Sequence, residues 1–183
     1  WAVFLATRPY DMGDHYNIGR EVFMAPVTWT DDDWPVINAD FEEVQYTYKA
    51  PDLPENIANM PFPISGSFTI VDNFDGNKLK DYWFFLRVPK EKWYDLNPKT
   101  KRLAVQLRPE TVFGRSNPSF VARRQQHNKG FVTTDFTFQP SNEDEMAGLL
   151  FFQNDVNHLF FAKTFDKDGG QSIKLLKANK DKT

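Results

Sequence analysis

The chain has 183 residues, a formal net charge of −3, a hydrophobic content of 40% and no cysteine. This length fits one domain or two small ones. The weak negative charge gives no electrostatic footprint for nucleic acid, and a chain without cysteine forms neither disulfides nor thiolate metal sites. No apolar run is long enough to predict a membrane span. The composition leaves the cellular compartment open.

The first 38 residues predict three strands. Trp1–Thr7 is a compact apolar run that indicates a buried strand. Glu21–Trp29 and Trp34–Asn38 are further apolar runs on either side of an acidic turn, which predicts a β-hairpin. Each run contains a proline, and because proline lacks a backbone donor, both prolines should lie at a strand end, an edge or a bulge.

A candidate binding residue stands just before this hairpin, in the sequence Gly19-Arg20-Glu21. The glycine permits a tight turn, so Arg20 would point a planar, always-charged fork off the end of a strand. Such a fork suits hydroxyls and carboxylates in a pocket. The alternative is a surface ion pair between Arg20 and Glu21, and spacing alone favours that alternative.

Residues 39–65 differ in character from both flanks. Four prolines interrupt them and no hydrophobic period is sustained, which predicts an extended linker lying on a surface. The aromatic residues of this segment predict that it is held down and that their rings are buried. They are Phe41, Tyr46, Tyr48 and Phe62.

From Gly66 onward, short alternating segments separated by turns predict a β-sandwich without a helix of more than two turns. By its length and apolarity, Met146–Gln153 also fits a buried helix. The predicted strands are Ser67–Val71, Tyr82–Val88, Arg102–Leu107, Phe120–Gln126, Gly130–Gln139, Met146–Gln153, His158–Phe165 and Ser172–Leu176.

Several polar residues of this half are candidates for chemistry. Asp72 and Asp75 could offer oxygens to calcium, but a turn whose side chains bond their own backbone is favoured. Arg123 and Arg124 are neighbours on a predicted strand, so one should face inward or toward a partner domain and the other should face water. An inward arginine must be paired. The three histidines are too scattered to predict a metal site.

Two sets of motifs resemble glycoside hydrolase family 43. WAVFLATRP, NIGREVFMAPVTW and DDWPVIN are similar to the last blade of the five-bladed catalytic β-propeller in members with β-xylosidase and α-L-arabinofuranosidase activity. DNFDGNKL, NPSFVARRQQH and FTFQPSNEDEMAGLLFFQND are similar to the concanavalin A-like β-sandwich attached to many of them. The resemblance covers most of the chain outside residues 39–65.

This resemblance implies an all-β chain: a terminal blade over residues 1–38, a linker over 39–65 and a β-sandwich over 66–183. The sandwich would be incomplete, since the family's domain continues beyond the equivalent of Ile173–Leu176. Four further blades would precede the chain. The sequence therefore looks like an internal fragment of a longer enzyme.

The resemblance also implies an inverting glycosidase acting on oligosaccharides from xylan or arabinoxylan, with the choice between xylose and arabinose open. Inversion needs two carboxyl groups separated by room for a water molecule. In this family they come from earlier blades, and no acidic residue here stands in their sequence context. No catalytic residue is therefore assigned, and this segment alone is expected to be inactive.

Two substrate-binding residues follow from the resemblance. Arg20 would contact the glycone, and Phe113, in the loop Thr111–Pro118, would close one side of the sugar pocket. Phe113 fits an ordinary core or interface residue equally well. No cofactor is required, although the family sometimes holds calcium near the equivalent of Asp72. The rival interpretation is a non-catalytic sandwich that binds carbohydrate or docks a partner.

Overall fold

The computed structural model describes residues 1–13, 15–52 and 66–178. Within these ranges the chain is all-β, with eleven strands and no helix, and hence no helix that could cross a membrane. The chain divides into two compact units. One comprises Trp1–Ile70 and Gln125–Gly130, and the other comprises Val71–Arg124 and Phe131–Thr183. The domain boundaries after residues 38 and 65 stay predictions.

The first unit contains two antiparallel strand pairs, which confirms a strand within Trp1–Thr7 and the hairpin. The predicted burial of the first strand is wrong, since Val3 is 68% exposed and Leu5 is 61% exposed. The apolar run Glu21–Trp29 is divided at Pro26, so its first part pairs with the N-terminal strand and only its second part enters the hairpin. Pro35 opens the last strand, where no ladder donor is needed. The strands are β1 (Ala2–Thr7) paired with β2 (Arg20–Ala25), and β3 (Val27–Trp29) paired with β4 (Pro35–Ile37).

The predicted burial of the linker aromatics is wrong for two of the rings. Tyr46 is 90% exposed and Phe41 is 46% exposed. Tyr48 is half-buried, and its hydroxyl donates to Asn38 Oδ1 over 2.8 Å while it accepts from Gln45 N over 2.7 Å. The start of the linker is therefore fixed by polar contacts of Tyr48. Phe62 lies outside the described residues.

The second unit is built around a three-stranded antiparallel meander, β9-β10-β11. The predicted strands at Met146–Gln153, His158–Phe165 and Ser172–Leu176 are confirmed, so Met146–Gln153 is not a helix. The strands of this unit are β5 (Phe84–Phe85) paired with β8 (Val121–Ala122), β6 (Tyr94–Asn97) paired with β7 (Arg102–Val105), and β9 (Met146–Asn154), β10 (Asn157–Phe165) and β11 (Gln171–Ala178).

Other strand predictions were wrong or too long. Gly130–Gln139 and Ser67–Val71 contain no strand in the described residues, and β5 and β8 keep only two residues each of longer predicted runs. Phe131 on one face is 85% exposed and Val132 on the other is 59% exposed, and residues 131–137 are all exposed, so neither face is covered along that stretch. Alternation predicts a strand only where a partner strand completes the ladder.

The core of the second unit is aromatic. Trp93 is 1% exposed, and the rings of Phe85 and Tyr94 lie 5.4 Å and 5.5 Å from it. Ala162, in the middle strand of the meander, is fully buried and lies opposite Gly148. A methyl group on residue 148 would overlap the Phe161 carbonyl, so this close approach requires glycine.

Candidate functional site

Arg20 is the first residue of β2, opposite Thr7 of β1. Gly19 before it has φ +80°, the left-handed conformation that favours glycine, as the sequence predicted. Arg20 is exposed, and no described residue forms a hydrogen bond or an ion pair with its guanidinium. The position thus presents an unpartnered cationic fork at the end of a strand.

The neighbouring acid, Glu21, is occupied elsewhere. Arg8 Nε donates to Glu21 Oε2 over 3.1 Å and Arg8 Nη2 donates to Oε1 over 3.0 Å, so the pair is bidentate. The hydrogen bond with Glu21 raises the pKa of Arg8. Because successive residues of a strand point to opposite faces, Glu21 faces away from Arg20. The alternative surface pair between Arg20 and Glu21 is therefore wrong.

Phe113 lies on a loop before β8 and keeps 52% of its surface exposed. Its ring meets the ring of His158 edge-on, with centroids 5.1 Å apart. The ring of His158 in turn stacks on Phe152, at 6.0 Å. Phe113 is therefore in edge contact with His158 and keeps about half of its surface exposed. It is not a core residue of the second unit.

The loop that carries Phe113 is fixed by two side chains that the sequence analysis did not identify. Arg87 Nη1 donates to Ser116 O over 2.6 Å, and Nη2 donates to Gly114 O. Asn117 Nδ2 donates in the other direction, to Leu86 O over 2.8 Å and to Arg87 O over 3.2 Å. The segments around residues 87 and 116 are thus tied together in both directions.

Asn117 also connects this loop to the aromatic core. Its Oδ1 accepts from Trp93 Nε1 over 2.9 Å, which satisfies the only donor of a buried indole. Arg108 Nη1 donates to Asn117 O over 3.0 Å, and Arg108 forms an ion pair with Glu91. Asn117 is the first residue of the motif NPSFVARRQQH. The sequence analysis assigned it no role, whereas the structure shows that it anchors the loop to Trp93.

Asp72 is a second polar hub of this unit. Its side chain is 7% exposed; Oδ1 accepts from Phe74 N, and Oδ2 accepts from Tyr82 Oη and Trp83 Nε1, each over 2.9 Å. Lys80 Nζ lies 3.3 Å from Oδ1. Burial raises the pKa of Asp72, but the bonds from Trp83, Phe74, Tyr82 and Lys80 outweigh it, and the net pKa is lowered.

These bonds leave Asp72 without an oxygen that fits calcium, because a cation would have to displace the ammonium of Lys80. Asp75 is exposed. The described residues hold no group of three acidic or histidine side chains that could bind a metal ion. Calcium binding at this turn is a prediction that the arrangement of Asp72 does not favour.

Arg123 and Arg124 differ in exposure as predicted, but they lie beyond β8, which ends at Ala122, so they are not neighbours on a strand. Arg123 is half-buried with its guanidinium 4.5 Å from the centroid of the Tyr82 ring, a cation–π contact. Arg124 is exposed and lies 5.9 Å from the Phe84 ring.

The two candidate substrate-binding residues lie in different units, Arg20 in the first and Phe113 in the second. Their roles toward a sugar stay predictions.

The comparisons with known proteins agree with the all-β architecture. Residues 71–183 match the family profile of the beta-xylosidase C-terminal concanavalin A-like domain. The chain is 34% identical over 182 residues to the non-reducing end alpha-L-arabinofuranosidase BoGH43B of Bacteroides ovatus, covering 100% of this chain and 32% of that relative. It is 27% identical over 159 residues to the beta-xylosidase of Bacillus subtilis, covering 86% of this chain and 28% of that relative.

Solved structures show the same correspondence. The Bacteroides ovatus xyloglucan-locus GH43B structure matches with a TM-score of 0.77 at 32% identity, covering 98% of this chain and 34% of that one. A xylan beta-1,4-xylosidase from Bacillus halodurans matches with a TM-score of 0.75 at 27% identity, covering 96% and 32%. The chain thus spans about a third of the relatives it matches. It belongs to glycoside hydrolase family 43 and contains that family's β-xylosidase C-terminal concanavalin A-like domain.

Proposed function

We propose that this chain is the C-terminal part of a longer inverting glycoside hydrolase acting on oligosaccharides derived from xylan or arabinoxylan. It completes the sugar pocket and buttresses the catalytic propeller. The proposal is supported by relatives named as arabinofuranosidase and β-xylosidase, which are about three times as long as the segment they share with this chain. The water-activating base and the proton-donating acid come from propeller blades upstream of Trp1.

The observation that carries the proposal is the unpartnered fork of Arg20. An exposed arginine beside an acid ordinarily forms a surface pair, yet here Glu21 is bound by Arg8 in a bidentate contact. The nearest carboxylate therefore does not compete for Arg20, because Glu21 lies on the opposite face of β2 and is bound by Arg8. A planar fork with five donors is then available for the hydroxyls of a glycone.

Phe113 supplies a different kind of contact. The exposed part of the Phe113 ring presents apolar surface that can stack on the apolar side of a sugar ring. Arg20 orients the glycone by hydrogen bonds, and Phe113 offers a stacking wall to a sugar.

The test is hydrolysis of aryl β-xylosides and aryl α-L-arabinofuranosides by two proteins. One is this chain alone, and the other is the complete protein, meaning the chain joined to the propeller segment that we propose precedes it. We expect turnover only by the complete protein. Turnover by the chain alone would contradict the assignment of the acids to upstream blades, and no turnover by either protein would contradict the proposed activity.

The second candidate function is a non-catalytic sandwich that binds carbohydrate or docks a partner. It is favoured by the partly exposed aromatic at Phe113, since such rings also form sugar-binding platforms. Binding of xylo-oligosaccharides to the chain alone, measured by calorimetry and lost in Phe113→Ala, would support this function if the complete protein shows no hydrolysis.

A further inference from the structure

The segment between β5 and β6 turns at Arg87, which has φ +67° although it is not glycine. A non-glycine residue keeps this left-handed conformation only where its surroundings over-determine it, and such positions concentrate at functional sites. Here the surroundings are the carbonyls of the Phe113 loop, since Arg87 donates to Ser116 O over 2.6 Å and to Gly114 O. The unusual backbone therefore aims the fork at that loop.

Asn117 forms the other half of the arrangement. It donates to the Leu86 and Arg87 carbonyls and accepts from Trp93 Nε1 over 2.9 Å. Trp93 is 1% exposed, so the loop is attached to a part of the core that cannot shift without repacking. We name Arg87 and Asn117 the loop clamp.

The loop clamp acts beside Phe113. The carbonyl of Gly114, which directly follows Phe113, is one of the bonded acceptors, and the ring of Phe113 meets the ring of His158 edge-on. Two other hydrogen bonds lie within this loop: Phe113 N donates to Thr111 Oγ1, and Ser116 Oγ donates to Thr111 O. Neither of them connects the loop to another segment of the chain, whereas the bonds of the loop clamp do.

We infer that Arg87 and Asn117 are positioning residues that hold Phe113 against the glycone. This inference rests on the proposed function. A stacking wall displaced by about 1 Å loses much of its benefit to a bound substrate. The clamp thus couples the buried Trp93 to substrate affinity, without contact between the clamp and the sugar.

The experiment is a double-mutant cycle in the complete protein with an aryl-glycoside substrate. Arg87→Gly removes the fork and retains the left-handed backbone. We expect it to raise KM about tenfold and to leave kcat within about twofold, because a wall acts on ground state and transition state alike. Arg87→Lys should be intermediate, since one ammonium cannot reproduce a planar fork. The matched control is Arg102→Ala, which removes an exposed arginine bonded to Thr137, and it should change neither constant.

The second arm repeats Arg87→Gly in a Phe113→Ala background, where the change in KM should fall to about twofold or less because the residue being positioned is gone. An equal rise in both backgrounds would show that Arg87 acts elsewhere and would overturn the inference. A wild-type KM in Arg87→Gly, with a raised KM in Phe113→Ala, would overturn the inference and keep the wall. A wild-type KM in Phe113→Ala would overturn the wall and the clamp together. If Arg87→Gly does not fold, Arg87→Lys in both backgrounds is judged by the same criteria.

Discussion

Two regions of this molecule are stabilised internally by different kinds of hydrogen bonds. In the ribbon of β1 and β2, six consecutive residue pairs are in antiparallel register, from Ala2–Ala25 to Thr7–Arg20. In residues 71–124, the strands are only two to four residues long. There the order comes from polar side chains, above all Asp72, Arg87 and Asn117.

The difference predicts how each region responds to mutation. A backbone ladder satisfies its own donors and acceptors, so a side chain at its end, such as Arg20, is free for function at little cost to stability. Where side chains replace the ladder, removal of one leaves buried groups without partners. We therefore expect mutations of Arg20 to affect activity, and mutations of Asp72 and Asn117 to affect stability first.

The largest expected effect is at Asp72. Asp72→Ala removes the carboxylate that accepts from Tyr82 Oη, Trp83 Nε1 and Phe74 N, which should lower the free energy of unfolding by about 3 kcal/mol. Asp75→Ala, in the same turn but exposed, is the matched control and should stay within about 0.5 kcal/mol of wild type. The urea midpoint of each variant measures this. Equal midpoints for the two variants would remove Asp72 from its role as a hub.

Asp72 also predicts a pH dependence. Its pKa is lowered in the folded protein, so the folded state binds this proton less readily than the unfolded state. The stabilisation is therefore present above the usual aspartate pKa of about 3.9 and is lost as the pH falls through the lowered value. Melting temperatures from pH 7 to pH 2 should fall more steeply below pH 4 in wild type than in Asp72→Asn. Parallel curves would contradict this linkage.

The next effect tests the loop clamp as a structural element. Asn117→Ala leaves Trp93 Nε1 buried without an acceptor, and we expect a loss of about 2 kcal/mol in unfolding free energy. Asn97→Ala is the control, because Asn97 accepts from Lys99 N and Thr100 N in an exposed turn and should cost about 0.5–1 kcal/mol. Urea midpoints followed by tryptophan fluorescence measure the loss in both variants. A smaller loss in Asn117→Ala than in Asn97→Ala would contradict the role of Asn117 as a buried anchor of residues 71–124.

Arg20 tests the other side of the comparison. In the complete protein, Arg20→Ala should lower kcat/KM at least about tenfold, since a charge-assisted hydrogen bond in a pocket is worth about 1.5–3 kcal/mol. Arg20→Lys should recover part of this loss because a point charge cannot replace a planar fork. The melting temperature should stay unchanged in both variants. Wild-type kinetics in Arg20→Ala would remove the pocket role.

The sequence predicted the ladder-held parts of the fold well. The strands at Trp1–Thr7 and at Met146–Gln153 are apolar runs with a partner strand nearby in the chain, and both are confirmed. Gly130–Gln139 alternates as clearly but has no strand partner in the described residues, so the same pattern failed there. Alternation records a tendency, whereas a strand also needs a neighbour.

The side-chain hubs could not be predicted in the same way. Arg87 and Ser116 are 29 residues apart, and the bond between them depends on the backbone of Arg87 turning into the left-handed region. Arginine does not mark such a turn, because Asn, Asp and His are the non-glycine residues enriched at positive φ. The pairing of Glu21 with Arg8 was missed for a related reason: adjacency suggested Arg20 as the partner, but strand geometry places adjacent side chains on opposite faces.

The smallest expected effect concerns Arg8, the arginine that binds Glu21. Its side chain is 34% exposed and that of Glu21 is 26% exposed, so solvent screens the pair and Arg8→Ala should cost only about 0.5–1 kcal/mol of stability. The cost should shrink in 1 M salt, where the screening length is about 3 Å. Because Arg8 contributes nothing to the proposed pocket, kcat/KM should equal that of wild type, in contrast with Arg20→Ala. A tenfold loss of kcat/KM in Arg8→Ala would contradict this expectation and would show that the ion pair between Arg8 and Glu21 matters for activity.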